Sequence, residues 1–242
     1  MILNVLWMYH DIMDLYGDSG NIKVIIKRCK DRNIDVKVDT LTLNQKVNLS
    51  NYDLVFFGGG ADNEQNIIYK DLLNRRQDII TAINNNTFFL LICGGYQMFG
   101  QYYKDRDNNI IDGLKIFDYY TEANGNDRCI GNILIDVELD EYNFQVIGFE
   151  NHGGQTKNVS KPLGKVLTGH GNTYKGKYEG IYYNNCIGTY LHGPLLPKNP
   201  QLADFIIYKA LSKRYNNFEL KPLDDTLESL AFNTLKHRIY KK

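Results

Sequence analysis

The 242-residue chain has no excess of either charge, with 28 Lys and Arg against 28 Asp and Glu. Nucleic acid is therefore a poor candidate for the main ligand, because phosphate neutralisation needs a concentrated surplus of basic groups. No apolar run approaches the roughly 18 residues that span a bilayer, so a transmembrane protein is not expected. The opening stretch, Met1 to Met8, lacks a basic region and a small-residue cleavage site, and a cytoplasmic setting is expected. Cysteine is sparse and scattered, at Cys29, Cys93, Cys129 and Cys186, with no C-x-x-C pair and no repeated Cys/His spacing. That pattern does not match a tetrahedral zinc site, a disulfide framework is not expected in a chain of this size without an export signal, and no metal is expected. Each thiol must be read alone, and the ordinary reading of a lone cysteine is a small buried hydrophobe. The apolar fraction of 43% suits a globular core, and no repeat, low-complexity tract or linker divides the chain. One domain over residues 1–242 is expected.

Strand-like and helix-like segments alternate through the first hundred residues. Ile2 to Met8 reads as a strand, and Ser19 as an N-cap before a helix from about Asn21 to Arg32 with Ile22, Ile25, Ile26 and Cys29 on one face. Asp35 to Leu41 and Leu54 to Phe57 read as strands, Ile67 to Ile83 as one helix, Phe88 to Ile92 as a buried strand, and a short helix follows from about Tyr96. This rhythm predicts an α/β fold with a mostly parallel central sheet flanked by helices. The second half has more β pattern, at Asn132 to Leu139, Phe144 to Glu150, Gly164 to Thr168 and Ile181 to Tyr190. Asn199-Pro200 opens a helix through about Arg214. Thr226 to Tyr240 reads as a final amphipathic helix with Leu227, Leu230, Leu235 and Ile239 in register.

Ligands of open parallel sheets bind at the carboxyl ends of the strands, and two such ends stand out. At Leu90-Leu91-Ile92-Cys93-Gly94-Gly95, a buried strand runs into a cysteine and two glycines permit a tight turn into a helix. That is the strand–nucleophile–helix elbow with sulfur in place of a hydroxyl, and the Gly94 N–H is placed to serve an oxyanion. At Phe56-Phe57-Gly58-Gly59-Gly60, three glycines let backbone N–H groups approach a ligand, so Gly60 is the candidate for the second oxyanion donor. No G-K-[ST] follows, so this is not an ATP-binding loop. A thiol needs a base or cation beside it at neutral pH. Of the five histidines, His237 lies among basic residues on the last helix, His170 in a turn, and His10 just after the first strand. His152 and His192 both end strand-like segments before glycine, and spacing does not choose between them. Arg128, between the polar loop Asn124 to Asp127 and a strand, could grip a carboxylate, although a solvated loop charge is the plainer reading.

Taken together, Gly58-Gly59-Gly60, Ile92-Cys93-Gly94-Gly95-Tyr96-Gln97 and Gly188-Thr189-Tyr190-Leu191-His192-Gly193-Pro194 resemble the CobB/CobQ-like, class I glutamine amidotransferases of the cobyric acid synthase type. Leu15-Tyr16-Gly17-Asp18-Ser19-Gly20-Asn21, Gly148-Phe149-Glu150-Asn151-His152-Gly153-Gly154 and Leu195-Leu196-Pro197-Lys198-Asn199 extend the likeness over the whole chain. Within that family the chain is most similar to the stand-alone glutaminase subunits that serve lipid II amidation in peptidoglycan synthesis. The resemblance implies a flavodoxin-like class I fold with C-terminal helices. It also implies a Cys93–His192 dyad hydrolysing L-glutamine, oxyanion donors at Gly60 and Gly94, and Arg128 on the substrate α-carboxylate. His152 becomes a structural or pocket-edge residue.

The family's broader members carry His-x-Glu, but Pro194 stands where that glutamate would be. The resemblance implies that the carboxylate orienting the imidazole comes from a MurT-like, Mur-ligase-family partner subunit, with Glu150 and Asp204 as in-chain candidates that nothing supports. A partner is needed on chemical grounds too. Ammonia at neutral pH is mostly ammonium and must travel shielded, and activating a carboxylate needs ATP, for which this chain has no motif. ATP and magnesium belong on the partner, and no cofactor is expected here. Two other readings stay open: a glutaminase for another acceptor, such as a corrinoid carboxylate, and a non-catalytic α/β interaction subunit whose Cys93 is merely buried.

Overall fold

A computed structural model describes residues 1–123, 125 and 127–240. Four strands open the chain: β1 (Ile2–Met8), β2 (Asp35–Leu41), β3 (Leu54–Phe57) and β4 (Phe88–Ile92). Their bounds match the sequence reading because unbroken apolar runs and a clear alternation define them. Between them lie α1 (Gly20–Lys30), α2 (Asp62–Asn74) and α3 (Arg76–Asn84), and α4 (Gly94–Met98) follows β4. Ile22, Ile25 and Cys29 face the core from α1 as expected, although Ser19 makes no side-chain cap. The single helix expected over Ile67 to Ile83 is two, broken at Arg75, whose guanidinium is drawn to Asp71 and to the Gln45 carbonyl.

The second half adds β5 (Tyr102–Lys104), β6 (Ile110–Asp112), β7 (Tyr120–Ala123), β8 (Cys129–Leu139), β9 (Tyr142–His152), β10 (Gly154–Lys157), β11 (Gly164–Thr168), β12 (Tyr178–Glu179), β13 (Ile181–Tyr183) and β14 (Cys186–Thr189), then α5 (Pro200–Leu211) and α6 (Thr226–Tyr240). The strand expected over Ile181 to Tyr190 is a hairpin: Asn184 and Asn185 both take positive φ, as a tight two-residue turn requires. β5, β6, β7, β10 and β12 were not foreseen; they are two to four residues long, too short to show periodicity. On α6 the expected apolar stripe holds only in its second half. Leu227 and Leu230 are exposed, while Phe232, Leu235 and Ile239 pack on Leu134 and Ile147.

The main sheet has the order β13-β14-β4-β3-β1-β2, parallel throughout except for β13 at its edge. β3, β4 and β14 are wholly buried, as strands covered on both faces must be. The β1-to-β2 and β3-to-β4 crossovers run in opposite directions along the sheet, so right-handed connections put α1 on one face and α2 with α3 on the other. Two smaller four-stranded sheets, β10-β7-β5-β6 and β12-β11-β8-β9, complete the fold. Register pairs Met8 with Phe57, Phe57 with Leu91, and Ile92 with Thr189, so four strands end along one edge. Everything of chemical interest hangs from that edge. No helix among the described residues is long and apolar enough to cross a membrane.

Candidate active site

Cys93 follows β4 at φ +48°, a left-handed conformation that a non-glycine residue holds only when its surroundings force it. Two hydrogen bonds do the forcing: the Cys93 N–H donates to the Thr189 carbonyl at 2.8 Å, and its own carbonyl accepts from the Gln97 N–H at 2.9 Å. The turn brings the sulfur to the wall of a cavity of about 490 Å³, and the residue is 6% exposed. Gly94 opens α4, where the first N–H groups have no partner within the helix. A Cβ on Gly94 would lie 3.1 Å from the Gly60 nitrogen, so the two backbones predicted to hold an oxyanion are neighbours beside the sulfur.

His192 emerges just past β14, and its backbone exchanges two hydrogen bonds with Phe149 of β9. The imidazole is fully buried. Its Nδ1–H donates to Asp18 Oδ1 at 3.2 Å, and the other carboxylate oxygen accepts the Gly59 N–H at 2.9 Å. A Cβ on Gly59 would lie 2.9 Å from His192 Cε1, 3.1 Å from Asp18 Oδ2 and 3.4 Å from Cys93 Cβ, so all three side chains converge on one missing methyl. Burial alone would depress the imidazole, yet the Cys93 charge and the Asp18 carboxylate outweigh it and hold His192 up at about 10. A ring held up in this way favours the imidazolium at neutral pH.

The other thiols behave as plain hydrophobes. Burial pushes Cys29 and Cys129 up to about 12 and Cys186 higher still.

Asp18 was not foreseen as part of the site; it is a carboxylate of this chain in hydrogen-bond contact with the imidazole. Pro194 packs against Gly20, where a Cβ would come within 2.4 Å of the proline ring. The glutamate's usual place is thus filled by a packing contact, and the carboxylate arrives from the loop before α1 instead. The two in-chain candidates are elsewhere. Asp204 is bonded to Arg28 and Arg32, and Glu150 accepts the His170 and Gly171 N–H groups.

The opposite wall of the cavity is basic and more open. Arg128 is exposed and lies just before β8; its Nε and Nη2 donate to Asn151 Oδ1 at 3.2 and 2.9 Å. Of its predicted polar loop, Asn124 and Asn126 lie outside the described residues. Arg106, missed in the sequence, lines the same cavity, and both guanidiniums approach Gly153. Asn151 also donates to the Tyr16 hydroxyl at 2.7 Å, and the Tyr16 ring meets His192 edge-on at 5.1 Å. His152 lies flat on Tyr190 at 3.6 Å and donates from Nδ1 to the Gly154 carbonyl. Burial lowers it to about 3, so it is a neutral wall of the cavity and not the partner of Cys93. His10 packs on Trp7, His170 stacks on Tyr174, and His237 is exposed.

With this geometry in hand, a family model for the CobB/CobQ-like glutamine amidotransferase domain matches residues 4–200. The chain belongs to that family. The amidotransferase is 40% identical over 98% of its length, and 97% of theirs, to the lipid II isoglutaminyl synthase (glutamine-hydrolyzing) subunit GatD of Staphylococcus aureus. The Streptococcus pneumoniae protein of the same name is 39% identical, over 93% of this chain and 87% of that one. A probable cobyric acid synthase of Methanocaldococcus jannaschii is 32% identical over 74% of this chain but only 38% of its own. In fold, the amidotransferase resembles a crystal structure of a glutamine amidotransferase (TM-score 0.55, 12% identity, 85% and 98% covered) and the glutaminase domain of Trypanosoma brucei CTPS (TM-score 0.54, 11% identity, 92% and 98% covered).

Proposed function

We propose that this chain is the glutaminase subunit of a lipid II isoglutaminyl synthase, releasing ammonia from L-glutamine for a second subunit. The observation that carries the reading is the convergence of Cys93 and His192 on Gly59, beside the Gly60 and Gly94 backbones. The Cys93 thiolate attacks the side-chain amide carbon, and the oxyanion is held by the Gly60 and Gly94 N–H groups. His192 gives its proton to the departing nitrogen, which leaves as ammonia. The thioester is then opened by water that loses its proton to His192, and glutamate departs. Arg128, with Arg106 beside it, holds the substrate α-carboxylate at the cavity's open side.

The end-to-end match to the lipid II relatives favours that acceptor over a corrinoid, since the cobyric acid synthases are matched over only 32% to 38% of their length. Under this reading the partner is a MurT-like, ATP- and magnesium-using ligase in the cytoplasm that amidates the D-glutamate α-carboxylate of lipid II. This chain needs no cofactor of its own.

The test is glutamate release from glutamine by the wild type and by Cys93→Ser, each with its co-purified partner. Loss in the variant supports the thioester route, and wild-type turnover in the variant ends it. Amidated lipid II as the product identifies the acceptor.

A further inference from the structure

We infer that Asp18 is the positioning carboxylate of His192, so that the imidazole is oriented from within this chain rather than by a partner subunit. This inference rests on the glutaminase reading above and adds the group that sets which nitrogen of His192 keeps its proton once the ring has given the other away. Asp18 and His192 are each fully buried, and their 3.2 Å contact joins residues 174 positions apart. The contact is built on both sides. The Asp18 loop is tied to the end of β3 twice, since the Gly59 N–H donates to Asp18 Oδ2 and the Gly59 carbonyl accepts the Leu15 N–H at 3.0 Å. The His192 backbone is in turn pinned by Phe149. Other groups around the imidazole are Cys93, the Tyr16 ring and neutral His152, none of which supplies a carboxylate.

The two carboxylate oxygens have separate duties, and that makes the tautomer the consequence. With Oδ2 receiving the Gly59 N–H, Oδ1 must accept a proton from His192, which fixes N–H at Nδ1 and leaves Nε2 to exchange protons with Cys93 and the substrate. An asparagine in this place would keep its oxygen on the Gly59 N–H, because an amide nitrogen there would set donor against donor. Its NH2 would then face Nδ1, driving the neutral ring's proton to Nε2, where it blocks the base.

The experiment compares wild type, Asp18→Asn and Asp18→Glu in the full chain, with and without the ATP-using partner. Asp18→Asn is expected to lower kcat by roughly 10²–10⁴-fold with KM for glutamine unchanged, and Asp18→Glu to restore part of the loss. The thiolate absorbance of Cys93 gives a readout that needs no turnover, because the other three thiols ionise only at about 12 or above. Its titration midpoint is expected to rise in Asp18→Asn, since a less stable imidazolium stabilises the thiolate less. A wild-type kcat and thiolate midpoint in Asp18→Asn would overturn the inference. So would a deficit in Asp18→Asn that vanishes when the partner is added, which would assign the carboxylate to the partner. Failure of wild-type Cys93 to react with an electrophilic glutamine mimic would sink the glutaminase reading itself, an outcome separate from either of those.

Discussion

The two walls of the cavity are built differently. The reacting wall, with Cys93 and Gly60 facing the cavity and His192, Asp18 and Gly59 packed behind them, is buried and hangs from adjacent parallel strands locked in register. The gripping wall, comprising Arg106, Arg128, Asn151 and Tyr16, comes from loops and strand ends and is half-buried or exposed. Chemistry needs sub-ångström placement and a low dielectric, which a central sheet edge provides. Capturing a soluble zwitterion needs access and mobile charged groups, which loops provide. Tyr16 is where the walls meet. It sits at φ +57° in the loop that carries Asp18, its hydroxyl accepts from Asn151, and its ring packs perpendicular to His192.

That division is tested most severely at the sulfur. Cys93→Ala should abolish glutamate release, a loss on the order of 10³-fold or more, while glutamine still protects the variant thermally because the gripping wall is intact; equilibrium binding alongside turnover checks both halves. Gly59→Ala comes next, with a loss of about 10²-fold in kcat, since the new methyl must displace His192, Asp18 or Cys93, and a 1 Å shift costs that much. Arg128→Met should instead raise KM by about 10- to 100-fold, the value of a charge-assisted bidentate contact, with kcat largely kept. If kcat fell as steeply as in Gly59→Ala, the separation of the walls would be lost. pH gives an intermediate probe. His192 stays protonated until about 10, so kcat/KM should fall on the alkaline side as that proton leaves, and this limb should be unmoved in Arg128→Met. The smallest effect belongs to Tyr16→Phe. It removes one half-exposed hydrogen bond and should change KM by about two- to fivefold, with the ring still seated on His192.

Much of the reacting wall was legible before any coordinates. Phe88 to Ile92 is continuously apolar and runs into Cys-Gly-Gly, a local pattern that specifies a buried strand, a sharp turn and a side chain presented to a cavity at the strand end. Gly60 and Gly94, proposed here to hold the oxyanion, stood out in the sequence by the same kind of local pattern. His192 needed the family resemblance, because His152 also ends a strand before glycine. Both rings are buried, and what separates them is the partner: one is neutral against Tyr190, the other paired with Asp18. α6 misled because its exposed Leu227 and Leu230 share the helical spacing of a core face, and only the position of β8 and β9 decides which side is covered.

The sequence by itself determined the elements whose signal is local, namely four parallel strands, the elbow at Cys93 and the helix opening at Pro200. Only the tertiary structure decided which residues from distant segments meet. Strand order places the end of β1 beside β3, and β14 beside β4, so Asp18 reaches an imidazole from the far end of the chain. Strand order depends on how the whole core packs, and hydrophobic burial rewards covered area without naming the partner that covers it.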